Sequence, residues 1–292
     1  DDLVQANEEA SRVVNEHARE QGKPQVSCFH YNEWLEYGYY QQGRMKDANA
    51  LLLRCKQEGE SALAASKPGK ERDRLVARFE GSLPIMRATA VIESQDWNGP
   101  ALHLDMPAIK DENVLAVDRF VTGFAAAQRG DLTLARSVLA TLHDQVAAAK
   151  PDSENPQALD YLHILHDALA GLVAAKSGDM DTAIALVRGA ASRLDTMAFD
   201  FGPPVMVKPP HELLGELLLA VDRPGEAADA FTRSLQLAPL RSLSLLGLAR
   251  AHKAAGHDVA AGASYRQLLA IWHQADADLA ILAEAHGKVP SP

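Results

Sequence analysis

A chain of 292 residues is long enough for one extended repeat array or about two ordinary domains. Hydrophobic residues make up 47% of it and aromatics only 5%, and the apolar stretches are mostly Ala and Leu, which favour helix over strand. The net charge of -10, from 39 acidic and 29 basic residues, argues against a general nucleic-acid binder, because a face that offsets phosphate charge must be basic.

No stretch approaches 18 uncharged apolar residues, and no basic segment followed by an apolar run opens the chain. Neither a membrane span nor a signal peptide is therefore expected, and the compartment stays open between cytoplasm and periplasm. The opening Asp1-Asp2-Leu3-Val4-Gln5-Ala6-Asn7 reads as the turn and second helix of a pair whose first helix lies upstream. The chain is thus expected to be the C-terminal part of a longer one. Leu3, Val4, Ala6, Val13 and Val14 then need cover from upstream sequence or from self-association.

Phe29–Gln57 is the first complete helix pair. Leu35, Tyr39, Gly43, Ala48, Leu52 and Cys55 take its packing and turn positions, while Glu36 stands where a small residue is expected. Cys28 and Cys55 lie at ends that antiparallel pairing brings together. Two buried thiols are the plainer expectation and a disulfide is the alternative; two cysteines are too few for a thiolate metal site. Ser66-Lys67-Pro68-Gly69-Lys70 then breaks the helix.

A helical run follows over about Glu71–Ser94. After it comes a degenerate pair, in which Asn98-Gly99-Pro100 and Met106-Pro107 leave a loop or short helix around Ala101–Ile109. Val117–Arg129 and Leu132–Ala149 form a clean pair, and Asn155 or Asp152 is expected to cap the helix that follows. The next pair spans about Pro156–Ser192. Between Asp195 and Pro210, Gly202-Pro203-Pro204 and Pro209-Pro210 impose extended backbone. The last two pairs are Pro210–Ala220 with Pro224–Gln236, where Asp222 replaces the turn glycine, and Ser242–Ala255 with Val259–Trp272. Asp276–Gly287 reads as a helix that covers the apolar end.

Four turns share one frame: Gly43-Arg44-x-x-x-Ala48, Gly130-Asp131-x-x-x-Ala135, Gly178-Asp179-x-x-x-Ala183 and Gly256-His257-x-x-x-Ala261. This frame resembles the tetratricopeptide repeat (TPR), a helix–turn–helix unit of about 34 residues. The resemblance implies an all-α, right-handed α-solenoid of divergent helix pairs with a C-terminal capping helix. Its parts run over residues 1–65 (first repeats), 66–113 (polar break and degenerate repeat), 114–194 (two repeats), 195–209 (Pro-rich connector), 210–275 (two repeats) and 276–287 (cap). Asp1–Asn7, Trp34-Leu35-Glu36-Tyr37 and Lys208-Pro209-Pro210-His211-Glu212-Leu213-Leu214-Gly215-Glu216 further resemble the C-terminal part of a group of bacterial TPR proteins. That likeness implies no activity, ligand or catalytic residue.

In such an array the first helix of each pair lines the concave face. His30, Glu33, Tyr37, Tyr40 and Gln41 are placed there at helical spacings, either as a ligand-facing patch or as packing beneath a preceding repeat. Lys208, Glu212, Glu216 and Arg250 form a second candidate strip; Glu216 and Arg250 occupy equivalent positions and could pair or face a peptide. Among the 11 histidines, His163 and His166 beside Asp167, and His103 near Asp105, are too scattered for a zinc site. Ser27-Cys28-x-His30 holds a nucleophile and a base but not in a shared direction. No nucleophile elbow, phosphate loop or dinucleotide fingerprint is present, and no cofactor is expected. The expected function is a protein- or peptide-binding scaffold, with a structural assembly role, or less readily a metal-dependent enzyme, as the alternatives.

Overall fold

The structure, a computed structural model, describes residues 1–23, 25, 27–153, 155–198 and 206–288. Among them are thirteen α-helices and no strand. The chain divides into two compact units, Asp1–Asp118 and Arg119–Pro292. The first holds α1 (Asp2–Glu20), α2 (His30–Gln41), α3 (Met45–Ala65) and α4 (Lys70–Ser94), followed by a 3-10 turn at Pro100–His103. Helix α5 (Glu112–Arg129) spans the division. The second unit continues with α6 (Leu132–Ala148), α7 (Ala158–Lys176), α8 (Met180–Asp195), α9 (Pro210–Ala220), α10 (Pro224–Leu237), α11 (Ser242–Ala254), α12 (Asp258–Ile271) and α13 (Ala280–Lys288).

Five helix pairs are closed by one and the same turn. A left-handed residue ends the first helix: Gly43 (φ 71), Gly130 (84), Gly178 (90), Asp222 (56) or Gly256 (75). The following amide reaches back five residues to a helix carbonyl: Arg44 N to Tyr39 O at 2.9 Å, Asp131 N to Ala126 O at 2.9 Å, Asp179 N to Ala174 O at 3.0 Å, Arg223 N to Leu218 O at 2.9 Å and His257 N to His252 O at 2.8 Å. This is the Schellman closure, which satisfies carbonyls left over at a helix end. Four residues later the second helix is under way, with Ala48, Ala135, Ala183, Ala227 and Ala261 donating to the carbonyls of those same post-turn residues. Each of these alanines is buried. Asp131 and Asp179 also cap their helices, accepting from Leu134 N and Thr182 N at 3.1 Å.

Within each unit most helices pack on a chain neighbour, and in the second unit alternate helices also meet, α7 with α9 and α9 with α11. Small residues allow the approach. A Cβ on Gly171 of α7 would lie 2.5 Å from Val187 of α8, and one on Gly123 of α5 would lie 2.8 Å from Leu169 of α7. In the first unit α2 and α3 both pack on α4, and α1 lies on α2, where a Cβ on Gly38 would meet Val4 at 2.7 Å.

Several boundaries differ from the sequence reading. Helix α5 begins at Glu112 rather than Val117 because Asp111 Oδ1 accepts from Asn113 N at 2.8 Å and Val114 N at 3.1 Å, capping it earlier. Helix α7 starts at Ala158 after Gln157, with no side-chain cap, so neither Asn155 nor Asp152 initiates it. Residues 276–279 form a turn, Leu279 N donating to Asp276 O, and the terminal helix runs from Ala280. Cys28 and Cys55 are joined in a disulfide with Cα atoms 4.8 Å apart, so the plainer expectation of two thiols is corrected. Gly202-Pro203-Pro204 lies outside the described residues.

One helix, α7, is long and apolar enough to cross a membrane by length and composition, with a mean hydropathy of 1.2. The sequence reading had no such stretch because it counted charged residues as breaks, and α7 carries Asp160, Asp167 and Lys176. Its apolar side chains Leu162, Ile164, Leu165, Leu169 and Leu172 are buried against protein. A core helix packed between others has this composition as well.

Candidate functional site

On α2 the sequence candidates separate into exposed and buried side chains. His30 is exposed and its ring lies 4.7 Å from that of Trp34; Tyr37 is half-buried. Glu33 accepts a hydrogen bond from Ser82 of α4, and burial raises its pKa above the ordinary carboxylate range. Gln41 Nε2 donates to Glu93 Oε2 at 3.1 Å. Tyr40 is in the core, 1% exposed, with its hydroxyl donating to Asn49 Oδ1 at 2.9 Å. Its phenol is pushed far above the usual range by burial and by the nearby Glu36 and Glu93.

The most deeply buried acid of this region is Glu36. It is completely buried, and neither carboxyl oxygen has a hydrogen-bond partner. Burial, with Glu33 and Glu93 close by, raises its pKa well above 4.5. Its standing at a position expected to be small was the signal in the sequence, and it pointed to a departure rather than to a role.

In the second unit Lys208, Glu212 and Glu216 do come together, and they gather around a residue that sequence reasoning missed. Arg241 precedes α11 and is fully buried; its Nε donates to Glu212 Oε2 at 2.7 Å and its Nη2 to Glu212 Oε1 at 3.1 Å. Lys208 Nζ donates to Glu212 Oε1 at 2.9 Å and to Glu216 Oε1 at 2.5 Å, and Ser244 Oγ donates to Glu212 Oε2 at 2.6 Å. Burial alone would raise Glu212, but Arg241 and Lys208 hold it down to about 2. Glu216 is the exposed end of the chain of charges, with a side chain 35% exposed. Leu240 takes a left-handed φ of 63 immediately before Arg241, a conformation that costs a branched side chain energy. No local pattern marks that turn.

Arg250 feels the charge of Glu216 but makes its direct ion pair elsewhere. Its Nε and Nη2 donate to Glu284 of α13 at 2.9 and 2.6 Å, and Tyr265 of α12 donates to the same carboxylate at 2.8 Å. Arg250 thereby fastens the last helix to the preceding pair. Tyr265 is pushed up to about 12 by burial and by this bond.

Ser27 Oγ donates to Glu58 Oε2 at 2.7 Å and Cys28 is in the disulfide, so Ser27-Cys28-x-His30 contains no available thiolate. His166 contacts Asp167 at 2.8 Å, and its ring lies 5.6 Å from that of His143. Among the described residues no three His, Cys, Asp or Glu side chains are grouped to hold a metal ion. No protein-family model matches the chain, and no curated protein sequence matches it.

Proposed function

We propose that the chain is a peptide- or protein-binding scaffold of the tetratricopeptide type. The observation that carries this reading is the fivefold recurrence of one left-handed turn and one buried alanine between paired helices. Stacked pairs of this kind form a right-handed solenoid whose first helices line an extended concave surface. In that geometry His30 and Tyr37 on α2 offer aromatic area within the first unit, and Glu216 on α9 with Arg250 on α11 offer separated charge within the second. The buried network of Lys208, Glu212 and Arg241 would keep that surface rigid, which lowers the entropy lost on binding. Assembly with further sequence of the same repeat type uses the same architecture and is the second reading, motivated by Leu3 and Val13 of α1, which are 37% and 49% exposed.

The test is selection from a random peptide library on the immobilised chain, followed by titration of the selected peptides. His30→Ala with Tyr37→Ala is expected to weaken them about tenfold or more, as loss of interface anchors does. Val259→Ala with Arg266→Ala on α12 is expected to leave them unchanged. Failure to select any saturable binder, or equal weakening by both pairs, sinks the reading.

A further inference from the structure

A cavity of about 360 Å³ lies within the first unit, between the second half of α1, Phe29 and Tyr31, and the first half of α4. Its volume is in the range of small-molecule sites. None of His30, Glu33, Tyr37, Tyr40 and Gln41 lines it, so it is independent of the peptide surface proposed above.

Its chemistry runs against that of the whole chain. The protein carries a net charge of -10, yet Lys23, Arg74 and Arg78 line this cavity against Glu71 as the one carboxylate among the lining residues. Elsewhere in this structure arginines commonly grip carboxylates, as Arg12, Arg44, Arg193, Arg223 and Arg250 do. Lys23, Arg74 and Arg78 form no ion pair among the described residues. Arg74 and Arg78 are four residues apart on α4, so their guanidinium groups share one face of the helix.

An aromatic and apolar wall adjoins these cations. The rings of Phe29 and Tyr31 stack at 5.7 Å and 22°, and the Arg78 guanidinium lies 4.6 Å from the Phe29 ring centre. Val14 and Leu75 complete the apolar lining. The Cys28–Cys55 disulfide ties the residue next to Phe29 to α3 and so fixes this wall. Asn15 and Gln21 add polar side chains to the lining.

We infer that this cavity binds a small aromatic anion: a planar ring against Phe29 and Tyr31, and a carboxylate or phosphate on Arg74, Arg78 and Lys23. Guanidinium groups suit this task because they present a fixed fork of donors to a planar or tetrahedral oxyanion and also stack on rings. The anion would supply the charge that the three cations lack, and the ring would cover apolar surface that is otherwise hydrated.

Calorimetric titration of the whole chain tests this with four probes. Indole-3-acetate is an aromatic carboxylate with an N–H donor, and adenosine 5′-monophosphate is an aromatic phosphate. Tryptamine has the same ring as the first but a cationic end, and inorganic phosphate has no ring. At least one of the two aromatic anions is expected to saturate at one site per chain in the micromolar to low-millimolar range, and which one binds separates carboxylate from phosphate. Tryptamine and inorganic phosphate are expected to bind about tenfold more weakly or not at all. Arg74→Gln with Arg78→Gln, both exposed and without ion pairs, should fold normally and weaken the anion about tenfold or more. The inference is overturned if neither aromatic anion binds, if tryptamine binds as well as indole-3-acetate, or if the doubly substituted chain binds as tightly as the parent.

Discussion

Arg241 holds both carboxylate oxygens of Glu212, and both side chains are essentially inaccessible, at 1% and 0% exposure. The pair joins α9 to the start of α11, and Lys208 and Ser244 fill the remaining acceptor sites of the carboxylate. A buried charge left without its partner is far costlier than a buried pair is favourable. Arg241→Ala should therefore lower unfolding stability by about 3–5 kcal/mol in urea titration. Glu212→Leu combined with Arg241→Met should cost less than Arg241→Ala alone. A double substitution as damaging as the sum of the singles would show that the two side chains act separately.

Glu212 in the same network contributes to the acid limb of stability. Glu212 is held at about 2 in the folded chain against an ordinary 4.5. A lowered carboxylate favours the native state fully above its unfolded value, and that contribution is lost as the pH falls through the folded value. Stability should decline between about pH 4.5 and pH 2, and Glu212→Gln should be less stable at pH 7 yet show a flatter decline. Thermal melts at intervals of one pH unit check both.

Glu36 carries the opposite sign. Its folded value lies well above 4.5 because burial and the neighbouring Glu33 and Glu93 disfavour the anion. The native state then binds the extra proton, so stability is greatest below 4.5 and falls as the pH rises toward the folded value. Glu36→Gln keeps the shape and removes the titration. It should raise stability at pH 8 by about 1–3 kcal/mol and leave it little changed at pH 4. A pH profile identical to that of the parent would contradict this.

Phe231 of α10 is wedged between two glycines, Gly215 of α9 and Gly247 of α11. A Cβ on Gly215 would lie 2.7 Å from the ring, and one on Gly247 would lie closer still. The ring is fully buried and cannot retreat without disturbing both helices. Gly247→Ala should cost about 1–3 kcal/mol by overpacking, although alanine is the better helix former. Phe231→Leu should partly relieve Gly247→Ala, and the double-mutant cycle measures that coupling.

The Cys28–Cys55 disulfide closes a loop with a sequence separation of 27. A loop of that length restricts the unfolded chain by about 3–4 kcal/mol in the chain-entropy model. Reduction, or Cys28→Ala with Cys55→Ala, should lower stability by about that amount. Hydrogen exchange should localise the loss to α2 and α3, with α9–α12 unaffected.

The helix pairs were legible because their signals are local. A left-handed turn requires glycine or a tolerant short polar residue, and a small residue must follow where two helices cross, so Gly43/Ala48, Gly130/Ala135, Gly178/Ala183 and Gly256/Ala261 mark the hairpins directly. Asp222 keeps the same geometry at φ 56 and was read as the substitute. Boundaries slipped where a neighbour not in the repeat frame decided them, as Asp111 does for α5.

The candidate site was legible only in part. Lys208, Glu212 and Glu216 share helical spacing and could be grouped from it, but Arg241 enters through a left-handed Leu240 that no propensity favours. Arg250 found Glu284 instead of Glu216 because the terminal helix, set by a turn at 276–279, brings a carboxylate within reach. The two cysteines were readable as neighbours but not as a bond. The cation-lined cavity left no trace in the sequence, since Lys23, Phe29 and Arg74 are brought together only by the packing of three separate segments.

By itself, then, the sequence determined that this protein is helical, where its helices turn, and which small residues let them cross, because each of these depends on the conformational preference of a few adjacent residues. Tertiary structure alone decided which charges are neutralised and which are left open. Whether Glu36 is a buried acid without a partner, Glu212 a gripped anion, or Arg74 and Arg78 unpaired cations depends on what distant helices place within about 3 Å, and Coulomb and hydration energies change most steeply over that distance.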